Sequence, residues 1–250
     1  MPDHPYKRIV SLVPSLTELL IDLGLKDQTI GRTRFCIHPK DEINDIQIIG
    51  GTKNPRLDDI VAMNPDLILC NKEENRKEDI EVLQKYADVR VTEIATIEDG
   101  LLEISSLGEL LGVRKSANTL VNEINELIQN RPECCPLSAA YFIWKDPWMS
   151  VGNDTYIHDI MQTWQLTNIY GDKKRYPKTT LEELATRNPD VILLSSEPYP
   201  FKEKHFAEIR QACPTSKIEL VNGEWFSWYG SRMKPAFEWL NKWRRELEAE

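Results

Sequence analysis

The sequence contains no long apolar run and no excess of basic residues. No stretch of 18 consecutive apolar residues occurs, which predicts that no helix spans a membrane. The 31 Lys and Arg residues are outnumbered by 40 Asp and Glu residues, which gives a formal net charge of −9. Because a nucleic-acid-binding protein needs a basic face to neutralise phosphate, this balance argues against nucleic acid as a partner.

Cysteine and the common catalytic motifs are also scarce. The five cysteines are irregularly spaced and include no C-x-x-C pair, so we interpret them mostly as small buried residues rather than a disulfide framework. G-x-S-x-G, P-loop and G-x-G-x-x-G patterns are absent, and Asp146, Asp154 and Asp159 have no obvious acid–base partner. We therefore predict that the protein is not an enzyme.

The start of the chain leaves two localisations open. The segment MPDHPYKRIVSLVPS passes from polar residues directly into an apolar strand and lacks the basic, apolar and cleavage regions of a secretory leader. If Met1 is the native start, we expect a cytoplasmic protein. If a leader has been removed, we expect a periplasmic or cell-surface protein.

A helix–turn–strand pattern occurs twice in the chain, 124 residues apart. LDDIVAMNPDLIL (57–69) and LEELATRNPDVIL (181–193) share six identical positions, including the Asn-Pro-Asp turn. Strands alternate with helices around both copies, which predicts parallel sheets covered on both faces. A separate amphipathic helix at 114–130 lies between the copies. The fold class predicted is α/β, with two Rossmann-like lobes (1–112 and 133–250) joined by one long helix (113–132).

Other local patterns predict individual elements. Ser15 and Glu18 have the spacing of a capping box at the start of a helix that Gly24 ends. Further elements follow from apolar runs and periodicity. The predicted strands are 67–70, 89–94, 139–144 and 217–222, and the predicted helices are 153–164 and 231–250.

Seven segments in a fixed order carry a family resemblance: RIVSLVPSLTELLIDLGL, GRTRFCIHP, GGTKNPRLDDIVAMNPDLIL, the helix at 114–130, SVGNDTYIHDIM to NIY, LEELATRNPDVILL, and the Trp-Phe segment before the last helix. Together they resemble the cobalamin- and iron-siderophore-type substrate-binding proteins of ABC importers. The resemblance implies a protein without an intrinsic cofactor that holds a metal chelate (an iron-siderophore, a corrinoid or haem) in the interlobe cleft. It also implies delivery to an ABC permease dimer. We predict a monomer.

Ligands of open parallel sheets bind beyond the carboxyl ends of the strands. Clustered tryptophans there suit a flat amphipathic ligand, with interlobe packing as the alternative. Arg232 and Lys72 could pair with ligand carboxylates or phosphate, or be solvated. Thr52 and Asn71 occupy positions where the cobalamin-binding members of this family are expected to carry tryptophan, and Phe35 occupies a position where they carry tyrosine. Only part of the surface that would stack on a corrinoid is therefore present, which argues against cobalamin itself. The predicted ligand-binding residues are Phe35, Asn71, Trp144, Trp148, Trp225, Trp228, Tyr229 and Arg232.

The repeat also aligns two glutamates. The offset of 124 residues places Glu73 and Glu197 just beyond equivalent strands. In the family that the chain resembles, one glutamate of each lobe is understood to meet transporter arginines, so the resemblance implies that this pair docks the permease. Glu74 or Glu78 could replace Glu73, and a solvated charge run is the alternative for that segment.

Two further alternatives concern metal and function. His38, His158 and His205 could form a zinc or manganese site with a carboxylate, but they lie in different segments, and we predict no directly bound metal. The functional alternative is a leaderless cytoplasmic protein on the same scaffold, which binds a metallocofactor and has no permease.

Overall fold

Parallel strands alternate with helices along the chain in the computed structural model, which describes residues 4–249. The strands are β1 (Ile9–Ser11), β2 (Thr29–Arg32), β3 (Gln47–Ile48), β4 (Leu67–Asn71), β5 (Asp88–Thr92), β6 (Leu137–Phe142), β7 (Leu166–Asn168), β8 (Val191–Ser195) and β9 (Lys217–Val221). The helices are α1 (Pro14–Asp22), α2 (Leu57–Ala62), α3 (Lys77–Leu83), α4 (Ile97–Leu110), α5 (Arg114–Gln129), α6 (Tyr156–Thr163), α7 (Leu181–Arg187), α8 (Phe206–Ala212), α9 (Glu224–Ser227) and α10 (Met233–Ala249).

The chain divides into two compact units, each with its own parallel sheet. Unit 1 takes the described residues up to Ile94, together with Glu98–Asn125 and Tyr229–Lys234. Unit 2 takes Ala95–Ile97, Glu126–Trp228 and the described residues from Pro235 onward. Helix α5 begins in unit 1 and ends in unit 2. The predicted fold class, an α/β protein with two parallel-sheet lobes, is confirmed. The lobe boundaries at residues 112 and 133 stay a prediction.

The two sheets have the same arrangement around the repeated segments. Sheet 1 has the order β3-β2-β1-β4-β5 and sheet 2 the order β7-β6-β8-β9, and all neighbouring pairs are parallel. Leu67 begins β4 opposite Ile9 of β1, and Val191, 124 residues later, begins β8 opposite Ala139 of β6. All residues of β4 and β8 are buried, as expected for central strands of a parallel sheet. The repeat therefore forms the same element in both units.

The Asn-Pro-Asp turn has a defined structural role in both copies. Asn64 and Asn188 adopt positive φ angles of 48° and 41°, a conformation that asparagine tolerates better than most residues. Asp190 then accepts hydrogen bonds from the Ser138 backbone N–H at 2.7 Å and hydroxyl at 2.6 Å. Asp66 accepts equivalent bonds from the backbone N–H groups just before β1. Each aspartate thus connects the turn to the neighbouring strand, beyond merely tolerating the turn.

The start of α1 differs from the prediction. The helix begins at Pro14 with Val13 as the N-cap, and no side chain caps it, so the predicted capping box is wrong. Proline suits the first helical position, which places Ser15 inside the first turn, where it is buried. The Glu18 side chain binds Arg232 instead. Gly24 follows the helix with a φ of 84°, in accordance with the predicted end.

Most of the longer predicted elements are present with shifted ends. Helix α5 covers Arg114–Gln129 against a prediction of 114–130, and β5, β6, α6, β9 and α10 coincide with their predicted segments within a few residues. Met1, on which the two localisations depend, and Glu250 at the end of the predicted last helix lie outside the described residues. Across positions 4–249, no helix is both long and apolar enough to cross a bilayer.

Cysteine burial agrees in part with the prediction. Cys36, Cys70 and Cys213 are buried, whereas Cys134 is half-buried and Cys135 is exposed. Burial raises the pKa of the Cys70 thiol to about 12. That thiol is therefore protonated and unreactive at neutral pH, as expected for a packing residue.

Candidate functional site

Two aromatic side chains meet at the carboxyl edge of sheet 2. Trp144 follows β6 and Tyr199 follows β8, and their rings make an edge-to-face contact with centroids 5.6 Å apart. Trp144 is 41% exposed, so its ring remains accessible to a ligand. Tyr199 was not predicted from the sequence, although it lies only two residues beyond Glu197.

Trp148 is a core residue of unit 2. Only 9% of it is exposed. Its ring stacks on Phe201 at 5.7 Å and meets the edge of Phe142 at 5.0 Å. Both partners belong to unit 2, so this geometry indicates packing within one unit. The predicted ligand contact of Trp148 has no support from this packing.

Trp225 packs on the last helix. It lies in α9, half-buried, with its ring 4.6 Å from that of Trp239 in α10. Trp239 in turn stacks on Trp243 at 5.1 Å. Trp225 of α9 therefore packs against the stacked Trp239–Trp243 pair of α10. Its predicted ligand contact stays a prediction.

The structure brings Trp228 and Glu197 together. The indole Nε1 of Trp228 donates a hydrogen bond of 2.9 Å to Oε1 of Glu197, and the Ser227 hydroxyl reaches the same oxygen at 3.3 Å. A predicted ligand-binding residue and a predicted docking residue are therefore in direct contact within unit 2.

Asn71 organises the edge of sheet 1. It is 3% exposed. Its side-chain amide donates to the carbonyl and hydroxyl of Thr92 at 3.2 and 3.0 Å, and its side-chain oxygen accepts the Glu73 N–H at 2.8 Å. These bonds use most of the polar capacity of the side chain on the end of β5 and on the loop after β4. The contacts indicate a role in shaping the loop rather than in contacting a ligand.

Both predicted docking glutamates are held at the backbone in the same way. The last residue of the preceding strand accepts the glutamate N–H: Asn71 for Glu73 at 2.8 Å, and Ser195 for Glu197 at 3.3 Å. The Glu73 carbonyl also accepts a hydrogen bond from the ammonium of Lys53. This shared geometry agrees with the alignment of the two residues by the repeat.

The remaining candidates in unit 1 have different environments. Phe35, which follows β2, is 52% exposed, and the Arg34 guanidinium lies 5.9 Å from its ring centre. Tyr229 is buried, which raises the pKa of its hydroxyl, and its oxygen lies 3.4 Å from the hydroxyl of Thr92. Phe35 thus presents an accessible aromatic ring at this edge, whereas Tyr229 does not.

Arg232 and Lys72 both have carboxylate partners. The Arg232 guanidinium binds Glu18 through two nitrogens, with its Nε 2.9 Å from Oε2, and both side chains are largely buried. The ammonium of Lys72 lies 2.5 Å from Oε1 of Glu93 on the surface. The Arg232 geometry indicates an internal ion pair in place of the predicted pairing with ligand.

A group of basic residues follows β7 at the carboxyl edge of sheet 2. We call residues 171–178 the cationic loop; its exposed basic side chains are Lys173, Lys174, Arg175 and Lys178. The loop pairs with the segment before α6: the N–H groups of Gly152 and Asn153 bind the Arg175 and Lys173 carbonyls at 2.6 and 3.0 Å. A Cβ on Gly152 would lie only 2.6–2.7 Å from the Lys173–Lys174 backbone. The loop is therefore held closely in place, and no sequence pattern predicted a site there.

The histidines engage protein partners separately. His158 lies 3.2 Å from the Asn168 amide, and His205 accepts the Lys202 N–H through Nδ1 at 3.0 Å. Burial lowers the pKa of both imidazoles. Within residues 4–249, no three His, Cys, Asp or Glu side chains group in a way that could hold a metal ion.

Comparison with known proteins identifies binding proteins as relatives. The chain is 27% identical over 206 residues to an uncharacterised ABC transporter substrate-binding lipoprotein of Bacillus subtilis (strain 168), and the match covers 75% of this chain. It spans only 63% of the lipoprotein's own length.

Two solved structures share the fold. The periplasmic vitamin B12-binding protein of Vibrio cholerae has a TM-score of 0.83 at 18% identity, covering 98% of this chain and 99% of its own. The periplasmic heme-binding protein of Roseiflexus sp. RS-1 in its apo form has a TM-score of 0.80 at 15% identity, covering 96% and 98%. At such identities the likeness concerns the fold alone.

These findings agree with the sequence-based resemblance. The relatives are substrate-binding proteins and not enzymes, which confirms the prediction that the chain is not an enzyme. The family model described as "Periplasmic binding protein" matches residues 9–212, most of the chain. The chain therefore belongs to the periplasmic binding protein family.

Proposed function

We propose that this protein is the substrate-binding component of an ABC importer and that it binds a metal chelate. Membership of the periplasmic binding protein family supports the binding role. The observation that carries the choice of ligand class is the exposed Trp144–Tyr199 pair at the carboxyl edge of sheet 2. Aromatic faces in this position suit a flat, partly apolar chelate such as haem, a corrinoid or an aromatic siderophore.

The cationic loop supports a chelate with acidic groups. Lys173 and Lys174 are exposed at the same edge of sheet 2 as Trp144, in a chain with a net charge of −9. Lysine ammonium groups recognise carboxylates and phosphates as point charges. We therefore favour a chelate with carboxylate or other anionic groups, such as haem propionates or an anionic siderophore, over a neutral one.

Relatives support the proposed ligand class and location. The two solved structures are of periplasmic proteins that bind vitamin B12 and heme, another relative is a vitamin B12-binding protein, and the Bacillus subtilis relative is a substrate-binding lipoprotein. We propose an extracytoplasmic location for this chain as well, and a monomeric state. The cytoplasmic alternative receives no support from these relatives.

A titration panel tests the ligand proposal. We expect haemin, cyanocobalamin or a ferric siderophore to quench tryptophan fluorescence with a 1:1 stoichiometry. We expect Trp144→Ala to reduce that quenching and to weaken the affinity for the chelate, because Trp144 is the exposed tryptophan at the edge of sheet 2. Elemental analysis of the purified protein can contradict the proposal. Stoichiometric zinc or manganese would show that the protein binds a metal ion directly rather than a chelate at the aromatic pair.

The docking role rests on Glu73 and Glu197. Their backbones are held equivalently at the ends of β4 and β8, which supports a pair that binds guanidinium groups on a dimeric permease. We expect Glu73→Lys and Glu197→Lys to abolish stimulation of the importer's ATPase and to leave chelate affinity unchanged. A loss of chelate affinity in these variants would instead place the glutamates in the ligand site.

A further inference from the structure

Glu197 lies in a network of hydrogen bonds with other residues of unit 2. Its Oε1 accepts from the Trp228 indole at 2.9 Å and from the Ser227 hydroxyl at 3.3 Å. Its backbone N–H donates to the Ser195 hydroxyl oxygen at 3.3 Å, and the Tyr141 hydroxyl donates to that same oxygen at 3.1 Å. The backbone and the carboxylate of Glu197 are therefore both fixed by neighbouring side chains.

The segment that carries Ser227 and Trp228 lies tightly against Glu197. A Cβ on Gly223, which immediately precedes α9, would lie 2.5 Å from Cγ of Glu197. The φ of Gly223 is −61°, so another residue could adopt its backbone conformation, and space alone limits this position. The Gly223 N–H also donates to the Ser196 hydroxyl at 3.0 Å. The loop after β8 and the start of α9 thus form one packed assembly around Glu197.

We propose that Trp228 is a positioning residue for docking and does not stack on the ligand; this inference rests on the docking role of Glu197 proposed above. A glutamate side chain has several rotatable bonds, and docking must order them. The indole N–H donates a charge-assisted hydrogen bond that holds the carboxylate in one orientation before the permease arrives. A carboxylate that is already ordered loses less conformational freedom when a permease guanidinium binds it, and this lowers the cost of docking.

The arrangement differs between the two docking glutamates. Glu73 shares the backbone hydrogen bond to the last strand residue, but all seven tryptophans of the chain belong to unit 2, so unit 1 has no indole of its own to donate to Glu73. The indole donor therefore belongs to the docking residue of unit 2. We expect removal of the indole N–H to weaken the contact made by Glu197 and to leave that made by Glu73 intact.

Trp228→Phe tests the proposal because it removes the donor and keeps an aromatic ring. In proteoliposomes containing the importer, we expect the variant to need about threefold to tenfold more binding protein for half-maximal ATPase stimulation. Its affinity for the haemin or cyanocobalamin probe stays within about twofold of wild type. The matched control, Trp239→Phe, removes another half-buried indole of unit 2. We expect this variant to stimulate the ATPase at the same concentration as wild type. Unchanged docking by Trp228→Phe, or a larger loss of probe affinity than of docking, overturns the proposal.

A spectroscopic measurement separates this inference from the docking role itself. In ¹H–¹⁵N spectra, the indole resonance of Trp228 is assigned by its disappearance in Trp228→Phe. We expect Glu197→Gln to move that resonance upfield and to speed its exchange with water, while the Trp239 indole resonance is unchanged. If Glu197→Gln changes neither the chemical shift nor the exchange rate of the Trp228 indole N–H, the positioning role is overturned even if docking is confirmed. A wild-type protein that stimulates no importer overturns the docking role, whatever the spectra show.

Discussion

Two tryptophans four residues apart have opposite environments in unit 2. Trp148 is enclosed by Phe201 and Phe142, whereas Trp144 touches Tyr199 and remains 41% exposed. The sequence places both in the same loop after β6, and composition alone gives no means of separating them. Burial depends on which side chains from β8 and the following loop reach each ring, and that is a tertiary property.

Replacement of Trp148 tests this difference through stability. We expect Trp148→Ala to lower the free energy of unfolding by about 3–5 kcal/mol, because it leaves a cavity in the core of unit 2. Trp144→Ala, the control at an exposed position, costs less than about 1 kcal/mol. Urea unfolding followed by circular dichroism measures both. Equal losses for the two variants would show that Trp148 is not a core residue.

His205 gives unit 2 a sensitivity to mild acid. Burial, with Lys145 and Lys204 adding repulsion, lowers the pKa of the imidazole below its unfolded value of about 6.5. The unfolded chain then binds the proton more readily than the folded one. The contribution of neutral His205 to the free energy of unfolding is therefore complete above about pH 6.5, the unfolded pKa, and is lost as the pH falls from there through the folded pKa. Protonation of Nδ1 also opposes its acceptance of the Lys202 N–H.

His205→Asn measures that contribution. Asparagine retains an acceptor for the Lys202 N–H but does not titrate. We expect the variant to reduce the loss of unfolding free energy between pH 7 and pH 5, by at most about 1.4 kcal/mol per pH unit. Unfolding at pH 8, where histidine is neutral in both states, reports the packing difference alone. A variant with the same pH slope as wild type would contradict this role.

Arg232 shows the limit of sequence reasoning at single residues. Its position after the Trp-rich segment suggested a ligand anchor, yet its guanidinium binds Glu18, 214 residues away. Glu18 in turn has the spacing of a capping residue, but the N-cap is Val13, two residues before Ser15, and the Glu18 carboxylate binds Arg232. No local pattern reveals an ion pair between such distant positions.

At the scale of elements, the repeat was the most informative feature of the sequence. Both copies of the repeat contain an Asn-Pro-Asp turn followed by an apolar strand, which predicts a buried strand in each unit. The structure confirms this, because β4 and β8 are fully buried. Short elements such as β7 and α9 contain three or four residues, too few for a periodic signal. The cationic loop was missed for a related reason, since its fixed conformation depends on Gly152 and the segment before α6.

The turn of the repeat makes a prediction of its own. Asn188 ends α7 in the left-handed region, with a φ of 41°. We expect Asn188→Ala to destabilise the protein by about 1 kcal/mol, because alanine is strained there. Asn188→Gly is nearly neutral, because glycine reaches this region without strain. Thermal unfolding of the two variants distinguishes them, and equal melting temperatures would rule out backbone conformation as the reason for asparagine.

At the scale of the whole molecule, fold and family could be predicted more fully than the site. The order of seven segments reflects the succession of strands and helices, and that succession determines the α/β architecture. Ligand choice depends instead on a few exposed side chains at strand ends. Of the eight predicted ligand-binding residues, Trp144 and Phe35 present accessible rings, while Trp148, Asn71 and Arg232 are engaged by their own units.

The central claim is that a metal chelate binds at the carboxyl edge of sheet 2 through Trp144. Calorimetric titration of wild type and Trp144→Ala with the chelate that wild type binds best among haemin, cyanocobalamin and ferric siderophores tests it most directly. We predict an affinity at least about tenfold weaker for Trp144→Ala, equivalent to the loss of about 1.4 kcal/mol of aromatic contact. An unchanged dissociation constant, in a variant that remains folded, would contradict the account.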